Sequence, residues 1–170
     1  MNKSILIVVS SYDFNETEYS VPRKIFEESG FEVKVASLEG GKCYGSKYLV
    51  VESDLSLKDV NMNDFSAIVF VGGDGIELYF DKEEALNLAK EFNYAGKLVC
   101  AICWAPVVLA KAGVLRNRKA TVWNGAVRDL ELADATYTAQ MVTVDKNIVT
   151  ANGPAAAEEF SEKIVSMLSS

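Results

Sequence analysis

Short runs of apolar, largely β-branched residues alternate along the chain with longer stretches in which apolar residues recur every three or four positions. The short runs are typical of buried strands, and the longer stretches are typical of helices packed on a sheet. Strands are predicted at residues 5–9, 31–37, 67–71 and 98–103, with a hairpin at 141–144 and 148–150. Helices are predicted at residues 15–29, 81–93, 104–112 and 154–168. The irregular stretch 40–59 is predicted to hold a short hairpin.

This order of elements predicts an α/β fold with a mostly parallel sheet covered by helices on both faces. The 170 residues contain no linker-like segment or internal repeat, so one domain spanning residues 1–170 is expected. In such sheets the functional site lies beyond the carboxyl ends of the strands. Three of these ends carry polar or reactive residues, namely residues 10–18, 72–77 and 103–106.

Net charge, apolar runs and cysteine content limit the kinds of partner and the cellular location that are expected. With 17 basic and 24 acidic residues the net charge is -7, which disfavours binding to nucleic acid and to anionic membranes. The longest nearly apolar run covers residues 98–110 and is interrupted by Pro106. A membrane span needs about 20 such residues. Three cysteines do not suggest a disulfide scaffold, so a cytoplasmic protein is expected.

The chain contains no histidine. Ser-His-Asp and Cys-His catalytic arrangements are therefore excluded within one chain, as are zinc or iron sites with histidine ligands. Neither a metal site nor a cofactor is expected. Aspartate and glutamate are left as the main groups for proton transfer near neutral pH.

Cys103 is the candidate nucleophile. It ends a predicted strand and precedes a predicted helix, and Ala101 and Ala105 flank it. Small residues at these two positions are typical of a nucleophile elbow, a tight turn that exposes the reactive side chain. The helix N-terminus is expected to lower the thiol pKa. The Trp104 amide and an amide of Gly72-Gly73 would form an oxyanion hole. The alternative is that Cys103 is a small buried core residue.

The other two cysteines are not expected to act with Cys103. Cys100 lies three residues earlier on the same predicted strand, which places it roughly 10 Å away, too far for a disulfide. We therefore interpret Cys100 as a core residue. Cys43 lies in the irregular stretch, and an exposed or partly covered thiol is expected there.

Two glutamates follow strand ends and are candidates for proton transfer. Glu18 lies near the start of the helix after the first strand, and a carboxyl buried beside a thiolate would hold a proton near pH 7. Glu77 follows the glycine cluster Gly72-Gly73-Asp74-Gly75. Either glutamate could instead be a solvated residue at a helix start. The cluster lacks the complete G-x-G-x-x-G pattern, so we interpret it as a turn that brings backbone amides to the site.

Taken together, these motifs resemble the ThiJ/PfpI superfamily over essentially the whole chain. The resemblance rests on four segments, residues 101–106 (AICWAP), 18–22 (EYSVP), 71–77 (VGGDGIE) and 152–154 (NGP). It implies a flavodoxin-like α/β/α sandwich, related to class I glutamine amidotransferase domains. It also implies that Cys103 is the reactive nucleophile and that Glu18 hydrogen-bonds its sulfur. A homo-oligomer, dimer or hexamer, is implied as well, in which Glu77 approaches Cys103 of a neighbouring subunit.

The chain departs from the superfamily pattern at two aromatic positions. The protease-like branch has a histidine directly after the cysteine, where this chain has Trp104. The deglycase branch has a histidine near the position of Trp123. Peptide hydrolysis needs a general acid for the leaving amine, and only Glu18 or Glu77 could supply it here.

Three functions follow as hypotheses. The first is glyoxalase III or deglycase-type chemistry on a small-molecule carbonyl substrate, using Cys103 and Glu18. Trp104 would narrow such a pocket, or would pack against another subunit. The second is an intracellular peptidase or amidase of the PfpI type. The third is a non-enzymatic stress protein, a redox sensor or chaperone, in which Cys103 is oxidised.

Overall fold

The computed structural model describes residues 3–170. Its strands, numbered along the chain, are β1 (Ser4–Val8), β2 (Tyr12–Phe14), β3 (Glu32–Ser37), β4 (Gly41–Gly45), β5 (Val50–Ser53), β6 (Leu55–Ser56), β7 (Ala67–Phe70), β8 (Leu98–Ile102), β9 (Lys119–Ala120), β10 (Thr136–Tyr137), β11 (Val142–Asp145) and β12 (Ile148–Ala151). Its α-helices are α1 (Glu16–Glu28), α2 (Glu83–Tyr94), α3 (Pro106–Lys111), α4 (Val127–Leu132) and α5 (Ala157–Leu168). Short 3-10 turns connect several of these elements.

The main sheet has seven strands in the order β11-β12-β8-β7-β1-β3-β6. All neighbours in it are parallel except β11, which pairs antiparallel with β12. The predicted mostly parallel sheet is therefore confirmed. A small three-stranded sheet, β2-β4-β5, contains the hairpin predicted in the irregular stretch.

Helices cover both faces of the main sheet, because successive residues of its central strands are all apolar. Along β1, Ile5 and Ile7 belong to one buried cluster and Leu6 belongs to the other. The first cluster includes Phe26 of α1 and side chains of α5, and the second includes side chains of α2, α3 and α4, such as Phe92. Each fully buried aromatic or aliphatic side chain contributes about 1.5–3 kcal/mol through the hydrophobic effect. The fold is the expected flavodoxin-like α/β/α sandwich.

Three details differ from the sequence-based expectations. Helix α3 begins at Pro106 and not at residue 104, because residues 103–105 form a tight turn before it. Helix α4 and the short β9–β10 pair were not predicted, since their segments are too short to show a clear periodicity. The expected exposure of Cys43 is wrong. Its side chain is fully buried, because alternation along β4 turns it toward the core and turns Tyr44 toward solvent.

The topology brings the three reactive strand ends together. Strands β8, β7 and β1 are adjacent in the sheet, so the segments that follow Ile102, Phe70 and Val8 leave the same edge side by side. Among residues 3–170, none of the helices has the length and apolar character needed to cross a bilayer.

Candidate active site

Cys103 lies in the turn between β8 and α3 with a backbone φ of 64°. This left-handed conformation is unusual for a residue with a side chain and persists only where the surroundings enforce it. Here the Cys103 N–H donates to the Ala151 carbonyl at 2.8 Å, and the Cys103 carbonyl accepts from the Trp123 N–H at 2.7 Å. Both contacts come from distant parts of the chain. The turn therefore has the backbone geometry predicted for a nucleophile elbow.

Glu18 lies in the first turn of α1 and is completely buried. Its Oε2 accepts a hydrogen bond of 2.8 Å from the Gly72 N–H. Its Oε1 has no nitrogen or oxygen partner among residues 3–170, and the carboxyl interacts with the Cys103 sulfur. The structure thus brings Glu18 and Cys103 together, as the resemblance implied.

Asn15 holds this arrangement in place and was not singled out in the sequence. Its Oδ1 caps α1 by accepting from the Glu18 N–H at 3.1 Å, and its own N–H donates to the Gly72 carbonyl at 3.0 Å. Together with the Gly72 bond to the Glu18 carboxyl, these contacts close a ring of hydrogen bonds. The available signal was an asparagine directly before a helix that starts at a strand's carboxyl end.

Gly72 is a glycine because the site leaves no room for a side chain. A Cβ at this position would lie 2.5 Å from Glu18 Oε2 and 2.8 Å from Cys103 Cβ. Because the Gly72 N–H donates its hydrogen bond to Glu18, it cannot donate to a substrate oxygen in the predicted oxyanion hole. The amides that hydrogen-bond the Cys103 sulfur are those of Gly73 and Trp104.

The environment of Glu18 opposes its ionisation. Burial raises the pKa of the Glu18 carboxyl from 4.5 to about 7, because the charged form loses its hydration. Hydrogen bonds from Cys103 and Gly72 act in the opposite direction and are weaker. Glu18 therefore holds a proton over much of the range below neutrality, as its position suggested.

The prediction that the Cys103 pKa is lowered is wrong, because the effects that raise the pKa are larger than those that lower it. Burial, followed by the negative charge of Glu18, raises the pKa of the Cys103 thiol to about 12. The amides of Trp104 and Gly73 lower the pKa, as a helix start should, but they are outweighed. The two groups form one titrating unit. When Glu18 is protonated, its charge no longer opposes the thiolate.

Cys103 opens into a pocket of about 590 Å³. The lining residues are Asn15, Gly73, Asp74, Glu77, Cys103, Trp104 and Trp123. All the predicted site residues except the buried Glu18 and Gly72 thus reach the pocket. Glu77 shares it with Cys103 of the same chain, and its approach to a neighbouring subunit stays a prediction.

Aromatic rings form one wall of this pocket. Trp104 packs edge-to-face between Phe80 at 5.3 Å and Trp123 at 5.9 Å, measured between ring centroids. Trp123 remains 44% exposed. A Cβ at Gly125 would collide with the Trp123 ring, so this glycine lets the indole lie against the backbone. The two tryptophans, at whose positions the resemblance implies histidine in other members, therefore both lie in the pocket with the nucleophile.

Among residues 3–170 there is no cluster of three or more cysteine, aspartate or glutamate side chains that could hold a metal ion. The reactive elements that the described residues bring together are one thiol, one buried carboxyl, two backbone amides and two exposed carboxylates.

Residues 3–167 match the model of the DJ-1/PfpI family. The chain belongs to this family. An uncharacterized protein of Methanocaldococcus jannaschii is 38% identical over 167 residues, covering 96% of this chain and 82% of that protein. Deglycase PfpI of Pyrococcus furiosus is 32% identical over 163 residues, covering 96% and 98%. The crystal structure of a ThiJ/PfpI domain protein from Brachyspira murdochii superposes with a TM-score of 0.95 at 33% identity, covering 99% of this chain and 97% of that one.

Proposed function

We propose that the protein converts small 2-oxoaldehydes such as methylglyoxal into 2-hydroxy acids, using Cys103 as nucleophile and Glu18 as proton shuttle. The observation that carries the proposal is the contact between the buried Glu18 carboxyl and the sulfur of Cys103, which lines the pocket. Glu18 is fully buried and its Oε1 has no nitrogen or oxygen partner among the described residues. A carboxyl in this position can exchange a proton with the sulfur or with atoms bound to it.

The reaction begins when the Cys103 thiol adds to the aldehyde carbon. A carbon–sulfur bond forms, and the thiol proton is transferred to the aldehyde oxygen, giving a hemithioacetal. The amides of Gly73 and Trp104, which hydrogen-bond the sulfur, are placed to stabilise negative charge developing on that oxygen.

Glu18 then moves a proton between the two adjacent carbons. Its carboxylate removes the hydrogen on the former aldehyde carbon as a proton, and the electron pair forms the carbon–carbon double bond of an enediolate. The proton returns to the neighbouring carbon, and the hydroxyl proton of the sulfur-bearing carbon passes to the neighbouring oxygen. The product is a thioester, so one carbon is oxidised and the other reduced without an external electron acceptor. Water hydrolyses the thioester, which releases the hydroxy acid and restores the thiol. A carboxyl with a pKa of about 7 suits both directions of transfer.

Two further observations favour this chemistry over peptide hydrolysis. The chain has no histidine to protonate a leaving amine. In addition, Trp104 and Trp123 line the pocket beside Cys103, and an indole ring cannot protonate a leaving amine. A relative with 32% identity, PfpI of P. furiosus, is named a deglycase, which agrees with carbonyl chemistry in the family.

The test is a product assay on the purified protein. We expect methylglyoxal to be converted to lactate and glyoxal to glycolate, measured by chromatography, with no cleavage of a fluorogenic peptide under the same conditions. The solution without protein and the heat-denatured protein are the controls. Peptide cleavage without hydroxy acid formation would contradict the proposal in favour of a peptidase. Absence of both activities would contradict it in favour of a non-enzymatic role.

A further inference from the structure

The charged groups of the pocket all have the same sign. Asp74 and Glu77 both line it and are exposed to solvent, and no lysine or arginine is among the lining residues. Both carboxylates lie on the 3-10 turn Asp74–Tyr79, which directly follows the Gly73 amide at the sulfur. Within the pocket lining, a molecule that approaches Cys103 therefore meets two negative charges and no positive one.

The aromatic wall of the pocket also favours cations over anions. Indole faces carry negative electrostatic potential and attract cations. Trp123 is 44% exposed, so its ring is available to a bound molecule, whereas Trp104 is held between Phe80 and Trp123. Carboxylates and indoles together make the space in front of Cys103 favourable for cations and unfavourable for anions.

We propose that the site selects its substrate by charge, admitting neutral and cationic carbonyl compounds and excluding those that carry a carboxylate, such as 2-oxo acids. This selection rests on the proposed function, in that Cys103 is taken as the point where substrate binds. The residues responsible are Asp74 and Glu77, which act on the approach and do not take part in the chemical step.

The same selection has a consequence for the product. A neutral 2-oxoaldehyde enters the pocket, but the 2-hydroxy acid formed from it is an anion near neutral pH. The two carboxylates therefore repel the product that the site generates. Repulsion favours release of the product, and inhibition by added lactate is expected to be weak.

The selection can be measured without turnover by labelling Cys103 with reagents of opposite charge. The probes are 2-aminoethyl methanethiosulfonate, a cation, and 2-sulfonatoethyl methanethiosulfonate, an anion. In each case the Cys103 sulfur forms a disulfide with the reagent's thioalkyl group, the thiol proton passes to solvent, and methanesulfinate leaves. Rates at Cys103 are followed by peptide mass spectrometry and divided by the rates with free 2-mercaptoethanol.

We expect the normalised rate for the cation to exceed that for the anion roughly tenfold at low ionic strength. The ratio should shrink as salt is added, because the carboxylates are exposed and are screened. In the double variant Asp74→Asn/Glu77→Gln the ratio should fall to near one. The matched control is Glu91→Gln/Glu162→Gln, which changes the net charge equally on exposed positions outside the pocket lining and should keep the ratio.

A wild-type ratio near one would overturn the proposal. So would a control variant whose ratio falls as far as that of the pocket variant, since net charge would then be the cause. The outcome is separable from that of the proposed function. If labelling is charge-selective but the protein forms no lactate, the charge selection is supported and the proposed reaction is contradicted. If the protein forms lactate but labelling is not selective, the proposed reaction is supported and the charge selection is contradicted.

Discussion

Replacing Cys103 by serine is expected to reduce lactate formation from methylglyoxal by at least about a thousandfold. The hydroxyl occupies nearly the same space as the thiol but is a much weaker nucleophile and a much weaker acid, and the chain has no histidine to activate it. The first bond to the aldehyde carbon then does not form. The rate is measured as lactate produced per protein, with the melting temperature recorded to show that the fold is retained.

Cys43→Ser provides the matched control for this loss. Cys43 is a buried residue of β4 and does not line the pocket, so its replacement removes a thiol without touching the site. We expect this variant to keep the wild-type rate within a few-fold. A Cys103→Ser protein that retains a comparable rate would contradict the assignment of the nucleophile.

Replacing Glu18 by glutamine is expected to stabilise the protein at alkaline pH and to slow the reaction. The folded chain holds the Glu18 pKa at about 7, against an ordinary value of 4.5. Between these two values the folded state binds the proton and the unfolded state does not, so wild-type stability falls as the pH rises through this window. Glutamine does not titrate and avoids this loss. Its amide can still accept from the Gly72 N–H and donate to the Cys103 sulfur.

The stability difference between Glu18→Gln and wild type should therefore grow from pH 5 to pH 7 and then remain constant. Its upper limit is about 3 kcal/mol, from the displacement of the pKa between 4.5 and about 7. Thermal or urea unfolding at several pH values measures it. The same variant should lose about a hundredfold or more in lactate formation, because the proton shuttle is gone.

Glu77→Gln is the control for the stability measurement, since Glu77 is an exposed glutamate at the same pocket. Its difference from wild type should stay small at every pH tested, because an exposed carboxyl is hydrated in the folded chain much as in the unfolded one. If the Glu18→Gln difference is equally flat, the account of a buried, proton-holding carboxyl is wrong.

Much of the fold follows from local pattern. The apolar run at the start of the chain correctly predicted β1. The run is continuous because every residue from Ile5 to Val8 is buried, on one face of the sheet or the other. The helix predicted at residues 15–29 matches α1 closely, although the prediction did not use the N-cap signal that Asn15 provides. The burial of Cys43 could not be predicted, because it depends on which face of a small sheet is covered, and that is a tertiary property.

The proximity of Cys103 and Glu18 was predictable, because both follow the carboxyl ends of strands that lie close together in a parallel sheet. The different partners of the Gly72 and Gly73 amides could not be predicted. Adjacent amides point in different directions, and only the fold shows that Gly72 binds the Glu18 carboxyl and Gly73 binds the Cys103 sulfur. The direction of the Cys103 pKa was also missed. A helix start lowers it, but the sequence does not show that burial and a buried carboxylate act more strongly.

The central claim is that Cys103 carries the substrate as a covalent intermediate. The most direct measurement mixes the protein with methylglyoxal, quenches with acid within the first turnover, and maps the peptides by mass spectrometry. The account predicts an acyl group on the Cys103 peptide that adds the mass of one methylglyoxal and is removed by hydroxylamine, as a thioester is. Lactate formation with no hydroxylamine-sensitive group on Cys103 at any time during that turnover would contradict it.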